Sequence, residues 1–185
     1  MIGHSAGGAV SLELARQGRV APGRVVVVNG ALENFRGAAG WLFPIMAKAL
    51  ALNPFTGFLI SQGGRSEQQV RSILANAGTD LGDEALRCYA RLIKRRAHVD
   101  GTLAMMAQWA LEDLNRALPA IATPALFLHG DRDGAVPLRV AERAAGAMPD
   151  ARLVTLGGIG HIAHEEAPDR VAEAITDFAR AETPT

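Results

Sequence analysis

Glycines lie two positions before and two positions after a serine at the start of the 185-residue chain, in the run Gly3-His4-Ser5-Ala6-Gly7. A serine in this pattern occupies a strained turn between a strand and a helix, where only small residues fit two positions to either side. The turn holds the hydroxyl clear of the sheet. We therefore predict that Ser5 is a nucleophile and that the N–H of Ala6, at the start of the helix, stabilises an oxyanion.

Two aspartates follow the strand-like run 124–129, in the sequence Gly130-Asp131-Arg132-Asp133. An acid just past the end of a parallel strand lies on the rim of the sheet where the sites of α/β proteins form. Asp133 precedes a Val-Pro pair by the interval usual in such proteins, and we assign it as the acid that orients a catalytic histidine. Asp131 is the alternative, and loop hydrogen bonding in an Asx turn would be its structural role.

A histidine follows the glycine-rich run Gly157-Gly158-Ile159-Gly160, after the last predicted strand. A base on a flexible loop can swing onto the serine, and a carboxylate behind it fixes its tautomer. We assign His161 as this base, with His164 as the rival that would instead pack at the start of the last helix. The order of Ser5, Asp133 and His161 favours the assignment, because Ser, Asp, His is the chain order of one serine-hydrolase fold.

Strand-like and helix-like segments alternate at both ends of the chain. Residues 25–28 are four consecutive valines, a run typical of a strand buried on both faces of a parallel sheet. The pattern predicts further strands at 124–130 and 151–156, and helices at 6–18, 137–148 and 165–180. Between them it predicts only helices, at 38–52, 66–77, 83–96 and 100–109. The fold class is therefore α/β, with a parallel sheet covered on both faces and a helical insertion.

This pattern divides the chain into three parts. Residues 1–30 form a core α/β part with the serine turn, residues 31–116 a helical cap insertion, and residues 117–185 a core α/β part with the acid and the histidine. Apolar side chains are frequent in the insertion, and Trp41, Phe43, Met46, Met105 and Trp109 are our candidates for a pocket over the serine that takes a lipophilic substrate. The alternative is that most of them form the core of the cap itself.

Composition and the motifs that are missing argue against several other kinds of partner and cofactor. The 19 basic and 19 acidic residues cancel, so net charge is no reason to expect nucleic acid or an anionic membrane as a partner. The single cysteine, Cys88, allows no internal disulfide, which fits a cytoplasmic location, and it reads as a small core residue. We expect no transmembrane segment, because Pro44, Lys48, Asn53 and Pro54 interrupt the most apolar stretch, residues 40–60. We expect no metal and no cofactor, because no histidine pair has metal-ligand spacing and no phosphate-binding loop is found. Docking of the apolar stretch 40–60 on a membrane surface is the minority alternative.

The serine turn, the Gly-Asp-Arg-Asp run with its Val-Pro pair and the Gly-Gly-Ile-Gly-His run together resemble the α/β-hydrolase family. Segments of the insertion narrow the resemblance, among them Asn29-Gly30-Ala31-Leu32, Tyr89-Ala90-Arg91-Leu92 and Met105-Met106-Ala107-Gln108-Trp109. These look like the magnesium-chelatase-associated α/β hydrolases of bacteriochlorophyll synthesis. The resemblance implies a role near the insertion of magnesium into protoporphyrin, with a tetrapyrrole as a candidate ligand and magnesium chelatase subunits as candidate partners.

The chain differs from the family before the serine turn. The family places about five strands before the serine turn, and one of the loops there supplies the second oxyanion N–H. With the strand before Ser5 reduced to two residues, we expect the strand at 25–28 to have an unpaired apolar edge, which favours aggregation. The expectation is that this chain is a truncated product or fragment that is insoluble or inactive when expressed alone.

Two hypotheses from different classes follow. In the first, the protein is a serine hydrolase that cleaves an ester or a similar acyl bond and works near magnesium chelatase. In the second, it is a non-catalytic accessory protein that binds porphyrin or the chelatase through its apolar cap. A general esterase or haloperoxidase-like hydrolase with no link to pigment is a third alternative.

Overall fold

A computed structural model describes residues 1–19, 23–33, 53, 56 and 67–181. The chain divides into two compact units. One, the α/β unit, comprises Met1–Glu33, Asn76–Thr79 and Leu111–Thr185, and the other, the helical unit, comprises Asn34–Ala75 and Asp80–Ala110. The three-part domain organisation inferred from the sequence stays a prediction.

The α/β unit is built on a parallel sheet. Its strands are β1 (Ile2–His4), β2 (Val25–Val28), β3 (Ala125–Gly130) and β4 (Ala151–Leu156), and they lie side by side in chain order. All three strand pairs are parallel. The carboxyl ends of the strands therefore meet at one edge of the sheet. Ser5 emerges there, together with residues 131–137 after β3, the acid loop, and residues 157–162 after β4, the histidine loop.

The expected unpaired edge at residues 25–28 is wrong. The three residues before Ser5 form β1, which pairs along β2 with Ile2 opposite Val26 and His4 opposite Val28. β2 therefore has a neighbour on both sides, and all four of its valines are buried. The edge strand on this side is β1, where the side chain of Ile2 is 59% exposed.

Helices cover both faces of the sheet. On one face, α1 (Ala6–Arg16) approaches so closely that a Cβ added at Gly8 would lie 2.8 Å from Val27 Cγ1. On the other face, Val26, Val28, Leu126 and Leu128 join Val171 and Phe178 of the C-terminal helix in one buried cluster. α6 (Leu138–Ala147) packs on β3 and β4. Because side chains alternate between the faces of a strand, the unbroken apolar runs in β2 and β3 supply both interfaces at once.

The helix predicted at 165–180 consists of two helices. α7 (Ala163–Glu166) and α8 (Pro168–Arg180) are separated at Ala167, whose φ of −139° and ψ of 62° are not helical. Proline lacks the N–H that would continue the ladder, and it disfavours helical dihedrals in the residue before it. Pro168 therefore ends α7 and begins α8.

In the helical unit, the described residues form α2 (Glu67–Asn76), α3 (Asp83–Ile93) and α4 (Arg96–Ala107). α4 begins four residues before the predicted start, and the helix predicted at 38–52 lies outside the described residues. Cys88 is exposed on α3, so its assignment as a core residue is wrong. α5 (Glu112–Ala117) and the 3₁₀ turn Leu118–Ala120 return the chain to the α/β unit. Among the described helices, none combines the length and the apolar character that crossing a membrane requires.

Candidate active site

The turn between β1 and α1 holds Ser5 in a conformation that few residues adopt. Its φ is 51° and its ψ is −117°, in the positive-φ region that costs a non-glycine residue energy. Three backbone hydrogen bonds of 3.0 Å hold the turn: Ser5 N–H donates to the carbonyl of Val28, and the Ser5 carbonyl accepts from Gly8 and Ala31. The strained backbone is thus fixed by β2 and by the loop that follows it.

The steric reason given for the two flanking glycines is right for one of them and wrong for the other. A Cβ added at Gly3 would lie 2.1 Å from the carbonyl oxygen of Gly7 and 2.6 Å from Ser11 Oγ, so no side chain fits. A Cβ added at Gly7 would meet no described atom within 4 Å. Gly8, outside the pattern, is the second crowded glycine of the turn, because it packs against β2.

This difference predicts opposite results for two matched substitutions. Gly3→Ala is expected to lower the midpoint of thermal unfolding by several degrees or to prevent folding, because the new methyl group would overlap backbone that cannot move away. Gly7→Ala is expected to leave the midpoint unchanged or raise it slightly, since alanine is favoured over glycine inside a helix by about 1 kcal/mol. Calorimetry on both variants checks this, and equal destabilisation would contradict it.

The three side chains selected from the sequence meet above the sheet edge. His161 Nε2 lies 3.0 Å from Ser5 Oγ, and His161 Nδ1 lies 2.8 Å from Asp133 Oδ2. The carboxylate of Asp133 has no exposed surface, and the His161 side chain is 13% exposed. With Nδ1–H donated to the carboxylate, the unprotonated Nε2 can accept the serine proton. The imidazole already lies at this distance, so the predicted swing of a flexible loop is not required.

Asp131 and His164, the alternatives to Asp133 and His161, contact other groups. Asp131 Oδ1 accepts a hydrogen bond from Gly158 N–H at 2.7 Å, which ties the acid loop to the histidine loop. Its role is thus loop hydrogen bonding, but not as an Asx turn. His164 lies in α7 with its ring 4.6 Å from that of His4, and its Nε2 is 3.9 Å from a Glu165 carboxylate oxygen.

Asp133 is held as a carboxylate by four donors. Its Oδ1 accepts from the N–H groups of Ala135 and Val136, and its Oδ2 accepts from Asn29 Nδ2 and His161 Nδ1, each at 2.8 Å. Burial by itself raises the pKa of Asp133. The hydrogen bonds from His161, Val136 and Asn29 outweigh burial and lower the pKa below its usual value, so the acid stays ionised at neutral pH.

Asn29 is a site residue that sequence reasoning missed. It directly follows the four valines of β2, has a φ of 47° and is fully buried. Its amide nitrogen donates to Asp133 Oδ2 at 2.8 Å and to the Gly160 carbonyl at 3.2 Å, so one side chain joins the acid to the histidine loop. The available signal was its position, because a polar residue at the carboxyl end of a buried strand lies on the rim where sites form.

His4, which lies between Gly3 and Ser5, also contacts the histidine loop. Its Nε2 donates to the carbonyl of His161 at 2.9 Å, and the two rings are 4.9 Å apart. Burial is the main cause that lowers the pKa of His4 to about 4; repulsion from His161 and His164 adds to it, while the hydrogen bond to the His161 carbonyl and the charge of Asp133 oppose it. The imidazole is therefore neutral at neutral pH.

The low pKa of His4 predicts acid sensitivity. Between pH 6.5 and 4 the unfolded chain binds the proton and the folded protein does not, so folding stability falls as the pH is lowered through this window. The loss from this group is on the order of 3 kcal/mol by pH 4. Urea unfolding at pH 7 and pH 5 should show a smaller loss in His4→Gln than in the wild type. His98→Gln, at an exposed histidine of α4, is the matched control, and an unchanged loss in His4→Gln would refute the prediction.

The structure describes the positions of the predicted oxyanion donor and of two of the five predicted pocket residues. Ala6 is the first residue of α1, so its N–H lies at the positive end of the helix, as an oxyanion donor requires. In the helical unit, Met105 is 40% exposed on α4 and Trp109 is half-buried just beyond it. Trp41, Phe43 and Met46 lie outside the described residues. Within the described ranges, no group of three or more His, Cys, Asp or Glu side chains is arranged to hold a metal ion.

Comparisons with known proteins agree with this architecture. A family model described as the alpha/beta hydrolase family matches residues 1–174. The magnesium-chelatase 30 kDa subunit of Rhodobacter capsulatus is 44% identical over 178 residues, which cover 96% of this chain and 62% of that protein. A pimeloyl-(acyl-carrier protein) methyl ester esterase of Aromatoleum aromaticum is 29% identical over 191 residues, covering 96% of this chain and 72% of that one.

Solved structures show the same fold at low sequence identity. An alpha/beta hydrolase enzyme from a Medee basin deep-sea metagenome library has a TM-score of 0.73 and 16% identity, with 100% of this chain and 66% of that chain covered. An esterase from Exiguobacterium antarcticum has a TM-score of 0.72 and 16% identity, with 97% and 66% covered. The parallel sheet with its covering helices, the strained serine turn and the family match over residues 1–174 lead to one conclusion: the chain belongs to the alpha/beta hydrolase family.

Proposed function

We propose that this protein is a serine hydrolase that cleaves an ester or a similar acyl bond with Ser5, His161 and Asp133. The observation that carries the proposal is the hydrogen-bonded series from Ser5 Oγ through both ring nitrogens of His161 to the buried Asp133 carboxylate, at 3.0 and 2.8 Å. A histidine with only a structural role would need neither a serine hydroxyl at one ring nitrogen nor a buried, ionised acid at the other. The strained backbone at Ser5 supports the same reading, because such strain concentrates at functional sites.

The proposed reaction is an acyl transfer in two steps. Ser5 Oγ attacks the carbonyl carbon while its proton passes to His161 Nε2, and the oxyanion that forms accepts a hydrogen bond from the N–H of Ala6. The tetrahedral intermediate collapses as His161 returns the proton to the leaving alkoxide. Water then attacks the acyl-enzyme with His161 as its base and releases the acid. Asp133 stays ionised throughout, since its four hydrogen bonds favour the charged form.

We propose further that the substrate is lipophilic, with a tetrapyrrole as the candidate, and that the protein acts beside magnesium chelatase in bacteriochlorophyll synthesis. The identity of 44% over 96% of the chain with a magnesium-chelatase 30 kDa subunit supports this association. Trp41, Phe43, Met46, Met105 and Trp109 remain the proposed substrate-binding residues. A cytoplasmic location, or one peripheral to a membrane, is part of the same proposal.

A fluorophosphonate probe tests the hydrolase directly. The probe reacts with an activated serine, so the purified protein should be labelled, and peptide mass analysis should place the adduct on Ser5. Because β1 pairs with β2, the unpaired edge that was the reason to expect aggregation is absent, and labelling would overturn the expectation that the chain is inactive when expressed alone. Labelling is expected to fail after heat denaturation, because the activation depends on the folded geometry. Absence of labelling together with binding of protoporphyrin or of the chelatase would instead support a non-catalytic accessory role, which the similarity to the chelatase subunit also favours.

A further inference from the structure

The last residue of α2 and the first half of the link to α3 belong to the α/β unit. These residues, Asn76–Thr79, are the bridge segment, and the described residues on either side of it, 67–75 and 80–110, belong to the helical unit. The residues proposed to carry out the chemistry are all distant from it in sequence.

Hydrogen bonds tie the bridge segment to both catalytic loops. The carbonyl of Ala77 accepts from the N–H of Gly134, next to the acid, at 3.2 Å and from the N–H of His161 itself at 3.1 Å. The hydroxyl of Thr79 accepts from the buried N–H of Ile162 at 3.1 Å. One carbonyl therefore spans the acid loop and the histidine loop, and a second acceptor holds the residue after the histidine.

The bridge segment also fits between the loops without room for a side chain. Gly78 has a φ of 75°, and a Cβ added there would lie 1.8 Å from the carbonyl oxygen of Arg132. A Cβ added at Gly160 would lie 2.2 Å from the Gly78 oxygen, and one added at Gly134 would lie 2.3 Å from the Asn76 oxygen. The backbone of each loop thus packs directly against the backbone of the bridge segment, which leaves little room for the loops to shift relative to it.

We propose that the bridge segment positions the catalytic pair, with Thr79 and the Ala77 carbonyl holding His161 at its distance from Ser5 and Asp133. The inference rests on the proposed hydrolase function. Ala77 and Thr79 are positioning residues, since their contacts are with the backbone of the loops. Thr79 is 2% exposed, so water cannot replace its hydroxyl as the acceptor for Ile162 without a rearrangement of the loop.

The physical reason is the geometry that proton transfer demands. His161 must accept a proton from Ser5 while it donates one to Asp133, so a small rotation or shift weakens both hydrogen bonds together. Asn29 and His4 hold the carbonyls of residues 160 and 161. The bridge segment holds the N–H groups of residues 161 and 162, and, like Asn29, it also contacts the acid loop.

Substitution of Thr79 tests the proposal with little change of volume. Thr79→Val removes the acceptor for Ile162 and is expected to lower the rate of fluorophosphonate labelling by up to about 100-fold, the effect of a displacement near 1 Å. Thr79→Ser keeps the hydroxyl and is expected to restore most of the rate. Thr176→Val is the matched control, because that hydroxyl is bonded within α8 to the carbonyl of Ala172.

A second pair of variants covers the case in which Thr79→Val fails to fold. Gly78→Ala places a methyl group against the Arg132 carbonyl and requires an unfavourable φ, so the segment must move and the labelling rate should fall. Gly82→Ala, four residues further on, meets no described atom within 4 Å and has a φ of −65°, so it should label like the wild type.

Two further readouts separate positioning from general destabilisation. The pH profile of labelling should change in Thr79→Val and be rescued in Thr79→Ser, because a displaced imidazole loses its 2.8 Å hydrogen bond to Asp133. The low-field proton resonance of that hydrogen bond should weaken in parallel. Thr79→Val with the wild-type rate, profile and resonance would overturn the bridge proposal while leaving the hydrolase intact. A wild-type protein that is not labelled would overturn the hydrolase itself.

Discussion

Ser5→Ala is expected to lower kcat for an ester substrate by a factor on the order of 10⁶, the size of effect seen when the nucleophile of a serine hydrolase is removed. The physical reason is that no other group of the described site can form the acyl-enzyme, since the imidazole of His161 faces Ser5 Oγ at 3.0 Å and has its other nitrogen on the acid. Binding of the substrate should change little, because alanine removes only the hydroxyl. Steady-state kinetics with an ester such as p-nitrophenyl butyrate measure the loss.

The matched control for this variant is Ser11→Ala in α1, the helix that follows Ser5. Ser11 is buried and donates its hydroxyl to the Gly7 carbonyl at 2.8 Å, so its replacement has a structural cost but removes no proposed catalytic group. It should therefore keep kcat within a few fold of the wild type. Retention of the wild-type rate by Ser5→Ala would refute the nucleophile assignment.

Asp133→Asn is expected to produce the second largest effect, a loss of about 10⁴-fold in kcat, as for the equivalent change in other triads. Oδ1 of Asp133 accepts from two backbone N–H groups, so the amide oxygen of the asparagine must take that position. The amide nitrogen then faces His161 Nδ1 and the donor of Asn29 at the place where Oδ2 accepted both. His161 must present Nδ1 as an acceptor, its proton moves to Nε2, and Ser5 loses its base.

Asp131→Asn is the same substitution two residues earlier and serves as the control. Asp131 accepts from Gly158 N–H, and an asparagine keeps an oxygen for that contact, so the rate should stay close to that of the wild type. A large loss in Asp131→Asn with little change in Asp133→Asn would reverse the assignment of the acid. The pH profile of Asp133→Asn should show an increase in rate at high pH if hydroxide takes over the role of the base.

Local patterns in the sequence were sufficient to predict the architecture of the α/β unit. The four valines of β2 and the apolar run of β3 are buried on both faces, and such runs are typical of a parallel sheet covered by helices. The residues at 5, 133 and 161 could be selected because acyl transfer by a serine uses a hydroxyl, a carboxylate and an imidazole, and these residues follow β1, β3 and β4. Their meeting at one edge follows from the parallel arrangement, since it brings the carboxyl ends of the strands together.

Other features depend on contacts between segments far apart in the chain, and local patterns do not carry that information. Gly3 and Gly7 look equivalent in the sequence, yet only Gly3 approaches backbone too closely for a side chain. β1 has only three residues, and their sequence does not show that they pair along β2 and so give it a neighbouring strand on that side.

The sequence by itself determined the parallel α/β fold, the strained serine turn and the residue types that could form a triad, because each depends on side-chain type and short spacing. The tertiary structure alone decided that Asn29 shares the Asp133 carboxylate, that Asp131 instead accepts from Gly158, and that the bridge segment lies against both the acid loop and the histidine loop. The reason is that these hydrogen bonds join residues 27 to 104 positions apart, so they depend on where the packed sheet and loops place the two partners, which no local pattern encodes.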